Sequence, residues 1–198
     1  MKYLILLLAL AGCTSLPTQN TALNSVVFVE TPDGSGSGVV LNDKCIVTAD
    51  HVIANEQIIM MQNHKGDRFF ATKAYENEPS DIAVVCTDKP LKAPPVIFAH
   101  DKPEEWEPVF TIGFPMGKKN ILTEGRYQGD DVVSLQSAPG NSGGGVFNKD
   151  GEYIGFVDSF QVQMTAYGIL GFPHITNIVP ASKIAELLDK AGINYTKD

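Results

Sequence analysis

The chain has 198 residues, enough for one compact unit or for two small barrels sharing an interface. Hydrophobic residues make up 43% and charged residues 19%, a globular balance that excludes a disordered chain. The formal net charge is −8 and the basic residues are scattered apart from Lys118-Lys119, which excludes a phosphate-binding face and with it a nucleic-acid partner.

The chain opens MKYLILLLALAGC. Lys2 precedes an apolar run from Tyr3 to Gly12, about half the roughly 20 apolar residues that a membrane span needs, so the segment reads as a secretory signal. Leu10-Ala11-Gly12-Cys13 resembles the bacterial lipoprotein box, in which a cysteine is acylated and becomes the mature first residue. That resemblance implies a signal peptide over 1–12, a palmitate-bearing Cys13 and a polar tether over 13–21. Thr14 in place of aspartate implies sorting to the outer membrane, on its periplasmic side. Removal of Lys2 with the signal leaves 14 basic against 23 acidic residues, or −9.

Strand signals then dominate. SVVFVE (25–30), GVVL (38–41), CIVTA (45–49), QIIMM (57–61), RFFATKAY (68–75) and DIAVVC (81–86) are short, rich in branched and aromatic residues, and separated by turn formers. Five prolines between Pro90 and Pro108 mark a linker around Val96–Ala99. A second set follows: VFTIGF (109–114), ILTEGRY (121–127), DVVSLQ (131–136), GGVFN (144–148), YIGFVDSF (153–160) and AYGILGF (166–172). One helix is expected near the C-terminus, capped by Ser182, with Ile184, Leu187, Leu188 and Ala191 on one face and Gly192 ending it. The pattern predicts an all-β protein of two antiparallel β-barrels with a short C-terminal helix. The first barrel covers 22–92, the linker 93–107, the second barrel 108–180 and the helix 181–192.

Three patches carry chemistry. Thr48-Ala49-Asp50-His51-Val52 puts a histidine after an apolar strand, Ser80-Asp81-Ile82 an aspartate before another, and Pro139-Gly140-Asn141-Ser142-Gly143-Gly144 a serine among glycines. A serine hydroxyl is a weak nucleophile at neutral pH, so an imidazole must take its proton and a carboxylate must orient that imidazole. Backbone amides free of side chains, here those of Gly140 and Ser142, suit the developing oxyanion. The Gly34–Gly38 stretch lacks the spacing and following helix of a phosphate loop, and no histidine–cysteine cluster has zinc spacing, so no cofactor and no metal are expected. Of the remaining histidines, His64 is expected as a solvated turn residue and His100 as an exposed linker residue, while His174 follows Gly171-Phe172-Pro173 and is not expected to carry chemistry. Cys45 and Cys86 sit in strand-like apolar runs, where export permits pairing but buried free thiols are the equal or better reading.

These motifs together resemble the trypsin-like serine proteases of the chymotrypsin fold, and in style their HtrA-type bacterial branch. GSGSGVV (34–40), TADHV (48–52), SDIAVV (80–85), IGFP (112–115), PGNSGGGVF (139–147) and GEYIG (151–155) carry the likeness over about residues 22–190. It implies a serine endopeptidase acting on protein or peptide substrates, with His51, Asp81 and Ser142 as catalytic residues and Gly140 and Ser142 supplying the oxyanion amides. With nothing after the helix, a C-terminal peptide-binding domain is not expected, and Asn141 argues against activation by an ion pair to a cut amino terminus. The likeness places the pocket floor at Gln136, with Ser137 and Ala138 next, and its wall at Phe156-Val157-Asp158-Ser159 near Phe172. Small or medium apolar side chains are expected there, with Asp158 turned to the rim or to the triad. The rival readings are a catalytically silent binding module on the same fold and a serine esterase, the latter disfavoured by the histidine–aspartate–serine order.

Overall fold

A computed structural model describes residues 17–54, 56–117 and 119–197. The signal segment and Cys13 lie outside the described residues. The chain forms two closed, six-stranded antiparallel barrels. In the first, β1 (Val26–Glu30), β2 (Ser35–Val40) and β3 (Cys45–Ala49) lead round to β6 (Ile82–Cys86), β5 (Arg68–Asn77) and β4 (Ile59–Gln62), which closes on β1. In the second, β7 (Pro108–Gly113), β8 (Ile121–Gly129) and β9 (Val132–Val133) meet β12 (Gly168–Pro180), β11 (Tyr153–Thr165) and β10 (Gly145–Asn148), which closes on β7. Closure removes the open edges that would otherwise invite pairing with other chains.

Three cores explain why the strands read as nearly continuous apolar runs. Val27, Val29, Val40, Ile46 and Val85 fill the first barrel, and Val109, Val133, Val146, Val157 and Ile178 the second. A third core lies outside both, where Val39, Val47, Val84, Phe110, Phe147, Phe156 and the helix residues Ile184, Leu187 and Leu188 meet. Successive strand residues point to opposite faces, so the neighbours Val39/Val40, Val84/Val85 and Phe156/Val157 each divide between two cores.

The linker is stapled to the second barrel through Phe98, whose parallel bridge to Tyr153 is supported by amide bonds from Ala99 to Tyr153 and from Tyr153 to Ile97. Helix α3 (Ala181–Ala191) packs Ile184, Leu187 and Leu188 inward and ends at Gly192 in the left-handed conformation. Two expectations for it fail: Pro180 caps it rather than Ser182, which lies inside the first turn, and Ala191 is exposed. Two helices were not expected. Helix α1 (Pro17–Asn24) occupies part of the stretch read as a tether, anchored by the burial of Ala22 in the third core. Helix α2 (Asp50–Ile53) is a single turn after β3.

Cys45 and Cys86 are bonded as a disulfide, which corrects the free-thiol reading. They sit directly opposite each other on β3 and β6, where the antiparallel register brings their Cα atoms to 4.2 Å. A cross-link between residues 41 apart removes about 4 kcal/mol of loop-closure freedom from the unfolded chain. Reduction, or Cys86→Ser paired with Cys45→Ser, is expected to lower unfolding stability by up to that amount. Urea denaturation with and without reductant checks this; coincident curves would contradict it.

Candidate active site

His51 and Asp81 both come from the first barrel, at adjacent ends of β3 and β6. His51 falls in the turn of α2, with the Asp50 amide tied to the Asp81 carbonyl at 3.1 Å. Asp81 follows a 3-10 turn, Glu78–Ser80, that Asn77 caps by accepting the Ser80 amide. It takes a left-handed conformation (φ 50), which aspartate tolerates better than most residues, and its carboxylate meets His51 at two points. The His51 amide donates to Oδ1 at 2.9 Å, and the His51 ring lies with Nδ1 2.8 Å from Oδ2. This fixes both the position and the orientation of the imidazole, with Nε2 left for other work.

Ser142 comes from the second barrel, in the loop between β9 and β10. The first barrel holds this loop through Ser37, a buried residue of β2. The Ser37 amide donates to the Ser142 carbonyl at 2.9 Å, and its hydroxyl donates to the Gly140 carbonyl at 2.8 Å while accepting the Phe114 amide at 2.9 Å. Thr48 donates back to the Ser37 carbonyl at 2.7 Å. Two glycines are required by this closeness. Gly143 has φ +79, and a Cβ there would come within 2.1 Å of the Ser37 carbonyl; Gly140 has φ +98, and its Cβ would meet the Phe114 carbonyl at 2.6 Å. The Gly143 amide is tied to the Val157 carbonyl, whereas the Gly140 and Ser142 amides have no acceptor among the described residues.

The hydroxyl of Ser142 donates to the main-chain carbonyl of Asp158 at 3.1 Å. The Asp158 carboxyl turns toward Asp81, and oxygen or nitrogen atoms of His51, Asp81 and Asp158 lie within 4.8 Å of one another. Asp158, expected at the rim or toward the triad, lies beside His51 and Asp81 and lines a cavity at Ser142. The imidazole–carboxylate hydrogen bond already commits Nδ1 of His51 and Oδ2 of Asp81. The hydrogen bond that the His51 ring donates to Asp81 raises the His51 pKa above its usual 6.5, against the opposing effect of burial. For Asp81, burial pushes upward, but the ring and amide hydrogen bonds from His51 outweigh it and hold the carboxyl below its usual value. Burial, then contact with Asp81, pushes Asp158 the other way, above the ordinary carboxylate range.

Two cavities flank His51 and Ser142. One of about 340 Å³ is lined by His51, Ser137, Ala138, Ser142, Asp158 and Phe160, the other of about 320 Å³ by Thr31, Ser35, His51, Val52, Gly140 and Ser142. Gln136 and Val157 are corrections. Gln136 is exposed and does not line the pocket, its carbonyl accepting from Thr123, and Val157 points into the second barrel's core. Phe156 is buried between the barrels, and Phe172 is half-buried away from the pocket. Phe160, two residues beyond Asp158, is the wall residue that the sequence reading missed; the strand shifts register between Val157 and Ser159 in a β-bulge, so simple alternation does not place it. Of the other histidines, His100 is exposed and paired with Asp101, and His174 is exposed beside Phe172. His64 differs from its expected solvated state, being half-buried with Nδ1 enclosed and unpaired.

The trypsin-like peptidase domain profile matches residues 36–156, more than half the chain, and this chain belongs to that family. Among curated relatives, Serine protease HTRA1B of Danio rerio is 32% identical over 183 residues, covering 82% of this chain and 36% of that protein. A probable periplasmic serine protease do/HhoA-like of Haemophilus influenzae is 33% identical over 139 residues, covering 62% and 30%. The chain thus spans about a third of the length of these relatives. A serine endoprotease structure from Yersinia pestis superposes with a TM-score of 0.78 at 22% identity, covering 90% of this chain and 66% of that one. An inactive form of the Rv3671c protease gives 0.74 at 22%, covering 89% and 93%. These structural likenesses establish the chymotrypsin-type fold.

Gly143→Ala is expected to lower the melting temperature by several degrees and to abolish reaction at Ser142, because the added methyl must displace Ser37 (roughly 1–3 kcal/mol of strain). An unchanged melting temperature would contradict the close approach. The raised His51 pKa also carries a sign: the ring must lose its proton to act as a base, so reaction at Ser142 should fall as pH drops through a value above 6.5. Fluorophosphonate labelling rates across pH measure this, and a midpoint below 6.5 would contradict it.

Proposed function

We propose that this protein is a serine endopeptidase that cleaves protein or peptide substrates through His51, Asp81 and Ser142. The observation that carries the reading is the two-point grip of Asp81 on His51 at the edge of one barrel, facing a serine loop of the other barrel with two uncommitted amides. On substrate binding, Ser142 Oγ leaves the Asp158 carbonyl and attacks the scissile carbonyl carbon, while His51 Nε2 takes its proton. The oxyanion forms against the amides of Gly140 and Ser142. The tetrahedral intermediate collapses as His51 returns the proton to the leaving amine, and water then hydrolyses the acyl-enzyme by the same steps. Asp81 holds the imidazolium throughout and keeps its own charge.

The pocket beside Ser142 is lined by the small residues Ser137 and Ala138 with Phe160, and the Asp158 carboxyl is engaged with Asp81 rather than free for a cation. This favours small or medium apolar side chains before the cleaved bond, with broad selectivity of ~1–3 kcal/mol per methylene. The proposal places the mature enzyme on a membrane by an acyl chain on Cys13, in the bacterial envelope; support comes from the signal and lipoprotein-box sequence and from the word "periplasmic" in the Haemophilus relative's name. A catalytically silent binding module is the second reading, favoured by the Ser142 hydroxyl's bond to a carbonyl instead of to His51.

Ser142→Ala and His51→Ala are each expected to keep the fold and to cut peptide hydrolysis by ~10⁴ or more. Near wild-type hydrolysis by Ser142→Ala would end the assignment, and a wild-type protein that takes no fluorophosphonate would favour the silent module. Cys13→Ser is expected to block acylation and normal removal of the signal segment. Metabolic palmitate labelling followed by fractionation reads this, and a soluble, unlabelled wild type would contradict it.

A further inference from the structure

A third cavity, of about 1000 Å³, lies across the β1–β2 turn from the one lined by Gly140 and Ser142. Thr31, Asp33, Gly34 and Ser35 line both, so the turn is their common wall. The cavity of Ser137, Ala138 and Phe160 takes the residue before the cleaved bond, which leaves the Gly140 cavity, and this one beyond it, to the residues after that bond. Ligand pockets run to roughly 1,000 Å³, so the space suits a peptide segment.

Strand register builds one wall. Phe28 of β1 lies opposite Gln62 of β4, and Gln62 opposite Arg68 of β5, so these side chains form a row across the first barrel's outer face. Phe114 packs on Phe28 with ring centroids 5.6 Å apart. The β4–β5 turn is held by Asn63, a buried residue whose Oδ1 accepts the Lys65 and Asp67 amides at 2.9 and 3.0 Å while its Nδ2 donates to the Leu91 carbonyl at 2.8 Å. That turn presents Lys65 and Arg68 to the cavity, while Asp67 between them pairs with Lys92 at 3.5 Å and lines none of it. Lys119, between β7 and β8, adds a further cation.

Lys65, Arg68 and Lys119 have no ion pair among the described residues, whereas Lys73, Lys92, Lys102 and Lys149 each meet a carboxylate. The carboxylates of the cavity, Glu30 and Asp33, belong to the turn end, where Glu30 lies opposite Ser35. The fold thus gathers, in a chain of net charge −8, cations that the sequence scatters. Three strand spacings of about 4.8 Å separate Ser35 from Arg68, roughly 15 Å in all. About four or five extended residues cover that distance.

We propose that this cavity binds a carboxylate on the leaving side of the substrate, about four or five residues after the cleaved bond, against Lys65, Arg68 and Lys119. An acidic side chain and a C-terminus offer the same pair of charged oxygens, which the Arg68 guanidinium matches with two parallel donors. The inference rests on the endopeptidase reading for what the cavity selects, though not for the anion it holds.

The test uses the whole chain and three acetylated peptides. One is Ala-Ala-Val-Ser-Ala-Ala-Glu-Glu with an amidated end, the second carries Gln-Gln for Glu-Glu, and the third is the Gln-Gln peptide with a free carboxylate. Calorimetric titration reads binding to Ser142→Ala, and mass spectrometry reads hydrolysis by the wild type. The Glu-Glu peptide, the free-carboxylate peptide or both are expected to bind about tenfold tighter than the amidated Gln-Gln peptide, the worth of two or three exposed ion pairs. Which of them gains tells a side chain from a terminus. The advantage should shrink between about 0.05 and 0.5 M salt and vanish when Lys65→Gln, Arg68→Gln and Lys119→Gln are combined. Each substitution alone should cost a few-fold at an unchanged melting temperature. Equal or undetectable binding of all three peptides, or an advantage that survives these substitutions, would overturn the proposal. A wild type that cleaves none of the peptides, while Ser142→Ala binds them with this preference, would remove the peptidase reading and leave the carboxylate site standing.

Discussion

The Ser37 hydroxyl accepts the Phe114 amide and donates to the Gly140 carbonyl, while its own amide holds the Ser142 carbonyl and its own carbonyl takes the Thr48 hydroxyl. Four hydrogen bonds on one buried residue of β2 therefore join the serine loop of the second barrel to the strand that leads into His51. Each barrel could close without this joint. The site could not, because His51 and Asp81 belong to one barrel and Ser142 to the other. A buried polar group left unpaired costs roughly 1–3 kcal/mol, so loosening any of these bonds penalises the loop as well as the geometry.

The glycines of the serine loop follow from the same constraint. Gly143 runs so close to Ser37 that no side chain fits, and Gly140 runs equally close to the Phe114 carbonyl. Gly140 and Ser142, whose amides have no acceptor among the described residues, both line the second cavity. The β-bulge at Asp158 completes the arrangement from a third direction, with its neighbour Val157 tied to both Gly143 and Gly144. The site is thus a meeting of three irregular pieces of backbone (a glycine loop, a capped turn and a bulge) held by regular strands.

Much of this was legible in the sequence. The twelve strand segments and their turn formers have the spacing of two barrels, and His51, Asp81 and Ser142 stand out because each sits where a strand begins or ends in a motif of small and polar residues. What the sequence hid was whatever depends on which face of a strand looks where. The family likeness puts Val157 in the pocket wall with its strand neighbours, yet it fills the second barrel, while Phe160, two residues past Asp158, lines the cavity. Apolar runs such as VVFV in β1, IAVV in β6 and YIGFV in β11 carry no alternation to read, since cores lie on both sides of them. The disulfide was hidden for a related reason: only the register of β3 against β6 sets Cys45 opposite Cys86. Helix α1 has a weak apolar pattern and gains its place from the burial of Ala22 and the packing of Leu23 against the third core.

The central claim is that the two barrels bring His51, Ser142 and the amides of Gly140 and Ser142 around a single reacting atom. A crystal structure of the protein after reaction with a small fluorophosphonate tests it most directly. The account predicts phosphorus bonded to Ser142 Oγ, a phosphoryl oxygen at hydrogen-bond distance from both the Gly140 and Ser142 amides, and His51 Nε2 within reach of another oxygen on the same phosphorus. Phosphorus on any other residue, or a phosphoryl oxygen turned away from both amides, would contradict it.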